Sequence, residues 1–493
     1  MLNTTIKPAT NMPHALSPET LLIPGGYMPE AKLLENLKYL FNPRTVAVIG
    51  ASDNPNKLGA HVMKSLTQGG FEGRILPVNP SAKTIMGIEA MGSVVDSSIP
   101  IDLAVVVVPA QFVPAVFEQC VSKNVRGIVL ITAGFKEIDD PQGAKLQEKV
   151  RRLATKAAIP VIGPNTFGMI NLNRNLNASF TPQFSLLQKG KLTLVSQSGG
   201  MSHLLAFMAM KQEVGFSKVV GLGNRLNVDF PDMVSYLMED PDTEVIMLYL
   251  EGLDQPRRLL EAASRGRGKK PIIAYKTGRA ESGDRASLSH TGSLAGNHDI
   301  YRGGFRQAGI LCLDSSEALL DTARAMLMCP PPKGRKVAIL SGQAGPAMAA
   351  GDFCEANGLE IAAFDSGTQK VINELLPPLA LRTNPVDLGP AWYDARAIAG
   401  IVGAVMEDKN VDAILLLMMF ASANRGAIAS VSDLALRWKQ QKPLITCLAA
   451  PQGIWEKQVK ELEQSGALTN LPTPERAAQA LVNLWEYRKI MEK

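Results

Sequence analysis

Short, unbroken apolar runs of strand length recur along the chain, and the stretches between them carry apolar positions at helical spacing. The first group reads TVAVIG (45–50), RILPVN (74–79), DLAVVVVP (102–109), GIVLIT (127–132) and IPVIG (159–163). These runs do not alternate with polar residues, which is the pattern of strands covered on both faces. Strands alternating with helices predict repeated βαβ units and parallel sheets. A second group follows with LTLVS, SKVVGL, EVIMLYL, PIIAYK and GILCL, and a third with KVAILS, LEIAAF, DAILLLMM and PLITCL. The pattern predicts an α/β protein: an N-terminal extension and helix over 1–41, a Rossmann-like domain over 42–172, a second α/β domain over 173–328, the Pro/Lys-rich linker 329–336, and a third α/β domain over 337–493. Single helices are expected at roughly 30–40, 295–307 and 474–490.

A chain of 493 residues is too long for one core, in keeping with three domains. Its 51 basic and 46 acidic residues leave a net charge of only +5, and aromatics are 5% of the chain, so no nucleic-acid surface is expected. The five cysteines stand far apart without a CxxC or Cys/His pattern, so neither a metal site nor a disulfide framework is expected. Scattered cysteines fit a reducing cytoplasm, and the opening residues do not read as a signal peptide. No run reaches the roughly 18 apolar residues of a membrane span, so no membrane partner is expected.

Candidate chemistry sits where strands end. LVSQSGGM (194–201) and ILSGQAGPA (339–347) both place Ser and Gly between a buried strand and a helix. Small residues there let backbone N–H groups approach a ligand, and a helix N-terminus favours an anion. Ser198, Gly199 and Gly200, with Gln343, Ala344 and Gly345, are therefore the candidate phosphate-holding residues, two turns able to face one phosphate. EVIMLYL runs directly into Glu251, whose carboxylate at a strand end can orient an imidazole and stabilise its cation, or else cap a helix. His290 lies in SLSHTGSLAG, among residues too small to fill a core, on a long Gly/Ser-rich loop suited to a mobile carrier. His203, on an apolar helix face, reads as structural. VAVIGAS has Ser52 where a GxGxxG fingerprint needs glycine, and the second strand ends at Asn79-Pro80 rather than at an acid, which disfavours a dinucleotide site. No GxxxxGK[ST] motif occurs.

The string SHTGSLAG (289–296) resembles the phosphohistidine loop of the NDP-forming acyl-CoA synthetase superfamily, which includes succinyl-CoA synthetase, and closely resembles that of its ADP-forming acetate–CoA ligase branch. GASDNPNKLG (50–59), PVNP (77–80), VVPA (107–110), TAGF (132–135) and GPNTFG (163–168) resemble its CoA-binding domain; YLEG (249–252) and GLGN (221–224) resemble segments beside its histidine; TNPVDLGP (383–390) resembles its flavodoxin-like ligase unit. The resemblance implies a Rossmann-like CoA-binding domain followed by two flavodoxin-like domains. It implies that Gly50, Ser52 and Lys57 meet CoA phosphates, Asn79 and Pro80 the adenosine, Pro109 the pantetheine, and Gly134 and Asn165 the thiol end. His290 would carry the phosphoryl group with Glu251 as its partner. Interconversion of acyl-CoA, phosphate and NDP with organic acid, CoA and NTP follows, acetate being the default acid. No nucleotide-grasp part is recognisable, so the resemblance implies an alpha subunit whose ATP-grasp beta subunit, a separate chain in a hetero-oligomer, binds ATP or ADP with Mg²⁺. A non-catalytic CoA-binding protein and an acyltransferase-related protein on the same scaffold are the alternatives.

Overall fold

The computed structural model describes residues 30–278, 298–392, 394–439 and 441–492. Three parallel sheets succeed one another along the chain, and each buries its strands on both faces. Across the first sheet the strands run Arg74–Val78, Thr45–Ile49, Leu103–Val106, Gly127–Leu130 and Val161–Ile162, order 2-1-3-4-5 counted along the chain. The parallel part of the second repeats that order with Phe216–Gly221, Lys189–Ser196, Val245–Leu250, Ile272–Lys276 and Ile310–Leu313. The third repeats it again with Glu360–Ile361, Lys336–Ser341, Ala413–Met419, Leu444–Ala449 and Thr469–Asn470. In this order the chain reverses direction between the first and third strands, and the crevice outside their carboxyl ends is where such sheets take ligands. All fourteen apolar runs read from the sequence contain strands of these sheets.

The second sheet has two more strands, Gly168–Asn171 and Leu176–Ser179, an antiparallel hairpin on the edge beside Phe216–Gly221. The change from first to second sheet thus falls at 163–167, before the position 172 read from the sequence. GMIN and LNAS are only four residues each, with Asn171, Asn177 and Ser179 breaking the apolar run, which hides the hairpin from a hydrophobicity reading. The segment TNPVDLGP adds Val386–Asp387 beside Lys336–Ser341, and the Asn384 side chain there bonds the backbone of Ile339, Val337 and Ala362 at 2.8–2.9 Å.

One continuous apolar cluster joins the first two sheets. It holds Val46, Val48 and Leu103 from the first, Val195, Val220 and Ile246 from the second, and Leu33, Leu37, Leu40 and Phe41 from the helix Glu30–Phe41. Phe41 stacks on Tyr236 with ring centroids 5.0 Å apart. The helices Ser316–Met328 and Pro474–Met491 lie between the second and third sheets and contribute to the cores of both. Buried Asn483 bonds Thr322 at 2.8 Å, and Arg476 clasps Asp321 through two bonds of 2.7 and 2.8 Å. Arg324 reaches Glu463 at 2.6 Å. Segment 329–336 therefore joins the helix Ser316–Met328 to the strand Lys336–Ser341 across two domains already packed together, with Cys329 itself buried.

Candidate active site

Where the first and second sheets meet, their carboxyl ends open into one cavity of about 550 Å³. Its lining comes from Ile131, Ala133 and Lys136 after the fourth strand of the first sheet, and from Asn165, Thr166 and Phe167 at the crossover. The second sheet supplies Gln197–Gly200, His203, Gly223–Arg225 and Glu251. Of the residues singled out from the sequence, Asn165, Ser198, Gly199, Gly200 and Glu251 are thus brought to one place, and Gly134 lies beside it.

The turn Ser196–Gly200 is built to hold a helix N-terminus open. Ser196 Oγ donates to the Ser198 carbonyl at 2.8 Å and accepts from the Ser198 N–H at 3.2 Å. Ser198 is the N-cap of the helix Gly199–Lys211, its hydroxyl accepting from Met201 N–H. The first N–H groups of such a helix have no intrahelical acceptor. A Cβ at Gly199 would meet nothing within 4 Å, and one at Gly200 only Ser198 Oγ at 3.9 Å. The protein's own packing does not require glycine at these positions. Buried Gln197 accepts from both Glu251 N–H at 3.0 Å and Gly252 N–H at 3.1 Å, so the turn also positions the strand end that carries Glu251. From the other side, Lys276 Nζ donates to the Glu251 carbonyl at 2.9 Å.

The third sheet repeats the device. Ser341 Oγ donates to the Gln343 carbonyl at 2.6 Å and accepts its N–H at 3.3 Å, and the helix Ala344–Ala356 begins there. The Gln343 side chain pairs with the backbone of Met419, as Gln197 does with Glu251. Gln343, Ala344 and Gly345 are not among the residues lining the cavity; Ala344 and Gly345 are exposed on their own sheet.

At the first sheet, Gly50 ends the strand Thr45–Ile49, its N–H bonded to the Val78 carbonyl. Ser52 Oγ accepts from Asn54 N–H at 3.1 Å, and exposed Lys57 is the N-cap of the helix Leu58–Gln68. Asn79 Nδ2 donates to the Ala51 carbonyl at 2.9 Å while its Oδ1 accepts Ser81 N–H at 2.8 Å, tying the two strand ends together. Pro80 and Pro109 are exposed along the same edge. Leu58 and Asn165 carry this edge into the cavity, so the strip from Ser52 to Asn165 and the glycine turn share one opening.

The seam itself is polar. Gly223 Cβ would fall 2.2 Å from the Pro164 carbonyl, and Asn224 N–H donates to that carbonyl at 2.9 Å, so GLGN lies directly on GPNT. Glu137 accepts from Gly134 N–H and Asn224 Nδ2, each at 2.5 Å. Burial raises the Glu137 carboxyl, but the bonds from Gly134, Asn224 and Phe135 outweigh it and hold it below its ordinary value. Arg225, its side chain almost fully buried, donates to the Gly252 carbonyl at 3.0 Å and pairs with Asp254 at 3.1 Å and Asp229 at 3.5 Å. Burial pushes the Asp229 carboxyl up against the pull of Arg225. His203 sits among Phe167, Phe180, Phe184 and Phe207 with Nδ1 on the Gly199 carbonyl at 2.8 Å and Nε2 on Thr181 Oγ1 at 2.9 Å, both ring nitrogens engaged. His290 lies outside the described residues.

Lys136, Glu137, Asn224, Arg225 and Gln197 were missed as site residues, because charged and amide side chains in connections read as solvated surface. The available signal is their position at strand ends, Asn224 inside GLGN and the others directly beside TAGF, GLGN and LVS. Among the described residues no group of three or more His, Cys, Asp or Glu is placed to hold a metal, and no helix is long and apolar enough to cross a membrane.

A CoA binding domain model matches residues 44–171, and a succinyl-CoA ligase like flavodoxin domain model matches 189–326. The chain is 36% identical over 468 residues to the acetate–CoA ligase (ADP-forming) II subunit alpha of Pyrococcus furiosus, covering 92% of this chain and 98% of that one. The chain belongs to the ADP-forming acetate–CoA ligase alpha-subunit family. This family of acid–thiol ligases also has longer members: the chain is 35% identical to acetate–CoA ligase (ADP-forming) I of Archaeoglobus fulgidus but spans only 64% of its length. Among solved ligase structures, the dinucleotide forming acetyl-coenzyme A synthetase 1 of Ca. Korarchaeum cryptofilum, in complex with phosphate and ADP, superposes with a TM-score of 0.85 at 32% identity, over 92% of this chain and 97% of that one. The ligase domains matched by the two family models are those whose sheets form the cavity.

Proposed function

We propose that this chain is the CoA- and phosphate-handling subunit of an ADP-forming acyl-CoA ligase, working with a separate ATP-grasp subunit in a cytoplasmic hetero-oligomer. The carrying observation is the cavity at the joint of the first two sheets, where the edge of a CoA-type domain, an open glycine helix N-terminus and Glu251 converge. CoA lies along Gly50, Ser52, Lys57, Asn79, Pro80 and Pro109, its thiol end reaching Gly134 and Asn165. Phosphate rests on the N–H groups at Ser198–Gly200, where the helix dipole favours it.

A phosphate oxygen attacks the thioester carbonyl carbon; the C–S bond breaks, and the CoA thiolate leaves and takes up a proton. The acyl phosphate then gives its phosphoryl group to His290: the N–P bond forms, the P–O bond to the acyl oxygen breaks, and the organic acid departs. Glu251, held at its backbone by Gln197 and Lys276, steadies the imidazolium formed in that exchange. The loop bearing His290 carries the group to a nucleoside diphosphate, which the partner subunit holds with Mg²⁺. Gln343–Gly345, the same turn on the third sheet and open to the exterior, offers N–H groups that can hold the phosphoryl oxygens of the phosphohistidine once it has left the cavity. Every step reverses, and orientation with fixed dipoles supplies the catalysis.

The test is labelling of the assembled enzyme with γ-labelled ATP. An acid-labile, base-stable label that disappears in His290→Ala, with calorimetric CoA binding retained, is the expected result. A label that persists in His290→Ala overturns the assignment, as does tight NAD binding without a CoA signal.

A further inference from the structure

One cation lining the cavity has no hydrogen-bond or ion-pair partner among the described residues. Lys136 follows the strand Gly127–Leu130 in the segment TAGFKE and lines the cavity together with Asn165, Ser198–Gly200 and Glu251. Its place is held from behind: Lys136 N–H donates to Gln147 Oε1 at 3.4 Å, and Asn224 Nδ2 donates to the same oxygen at 3.1 Å. Neighbouring charges are committed elsewhere. The Glu137 carboxylate is taken by Gly134, Phe135 and Asn224, and Arg225 bonds Gly252, Asp229 and Asp254. Among the described residues the Lys136 ammonium has neither a hydrogen-bond acceptor nor a carboxylate in salt-bridge range. Burial holds its pKa below the ordinary lysine value, with Asp254 pulling it back up and Arg225 pushing it down. The side chain is half-buried, so its ammonium has lost part of its hydration on the cavity wall without gaining a described protein partner. No group among the described residues complements this charge, which leaves it facing the cavity where an anion can enter.

We infer that Lys136 is an anion-binding residue of this site, contacting an oxygen of the acid's carboxylate or of the phosphoryl group through a charge-assisted hydrogen bond. The inference rests on the function proposed above and adds the side chain that recognises the substrate's charge. Ser198–Gly200 offer only neutral N–H donors, and Glu251 repels an anion. Lys136 supplies the positive charge that lets a small oxyanion enter beside that carboxylate. CoA phosphates, placed at Ser52 and Lys57 on the outer edge, are not its ligand.

The experiment compares Lys136→Gln and Lys136→Arg with the parent in the assembled enzyme, using acetate and inorganic phosphate as probes. In Lys136→Gln the KM for acetate and the KM for phosphate in the reverse reaction rise about ten- to a hundredfold, the range expected for losing a hydrogen bond to a charged group. The KM for CoA and ATP-driven labelling of His290 stay at the parent level, and Lys136→Arg recovers most of the loss. Calorimetric titration with inorganic phosphate shows the same difference without turnover. Lys136→Met, which removes only the unpartnered charge, leaves the thermal midpoint unchanged or raised. Unchanged KM values for both anions would overturn the inference, and so would an equal rise for CoA accompanied by a lowered thermal midpoint, the mark of a structural lysine. Absence of ATP-driven labelling in the parent would instead count against the proposed function, so the two failures are distinguishable.

Discussion

The glycines at the start of the helix Gly199–Lys211 allow stability and function to be separated in one substitution. A methyl group at Gly199 meets no protein atom within 4 Å, and the position is helical, so Gly199→Ala introduces no clash or backbone strain. Replacing helical glycine by alanine is favourable by about 0.5–1 kcal/mol. The same methyl projects towards whatever sits on the N–H groups, and losing one hydrogen bond to a charged ligand costs about 1.5–3 kcal/mol, roughly ten- to a hundredfold in KM for phosphate. Gly223 is the contrasting control. Its φ is +55° and an added Cβ would stand 2.2 Å from the Pro164 carbonyl, so Gly223→Ala strains the seam between the sheets and lowers stability. Urea unfolding and steady-state kinetics of acyl-CoA- and phosphate-dependent ATP formation, run on the same preparations, give both quantities. The expected result is a Gly199→Ala enzyme at least as stable as the parent with a raised KM for phosphate. A parent-like KM would refute the placement of phosphate on this turn, and a loss of stability would refute the open space above it.

Glu251→Gln keeps the backbone bonds to Gln197 and removes only the carboxylate charge; rapid-quench measurement of acid-dependent discharge of the labelled phosphoenzyme is expected to slow about a hundredfold with the KM for CoA unchanged. Glu137 has a folded-state pKa below its ordinary 4.5, so the stability it contributes is present above that value and is lost as pH falls through the lower one. Glu137→Gln should therefore lower the thermal midpoint at pH 7 and flatten its decline towards acid pH; an unchanged acid limb would show that this carboxylate does not hold the seam.

The strands were legible because a parallel strand covered on both faces must be apolar throughout, and such runs stand out in any one-dimensional reading. The two Ser/Gly turns were legible as tight connections for a related reason: small residues let a buried strand turn directly into a helix. Neither pattern reveals where the turns end up. Ser198–Gly200 share a cavity with Asn165 because the first two sheets are fused through one apolar cluster, whereas Gln343–Gly345 sit outside it on the third sheet. The hairpin Gly168–Ser179 escaped notice because its strands are four residues each, interrupted by Asn171, Asn177 and Ser179, and these polar residues are buried only by their position, beside Phe216–Gly221 and under the helix Leu58–Gln68. Lys136, Glu137, Asn224 and Arg225 escaped for a deeper reason. Seen along the chain they are surface-type residues in loops, and their partners lie as far away in sequence as Asn224 does from Glu137. Local sequence determines whether a segment becomes a strand, a helix or a turn, through periodicity and backbone preference. Which charge is satisfied by the protein, and which is left for a ligand, is decided only when distant segments meet and exclude water from between them.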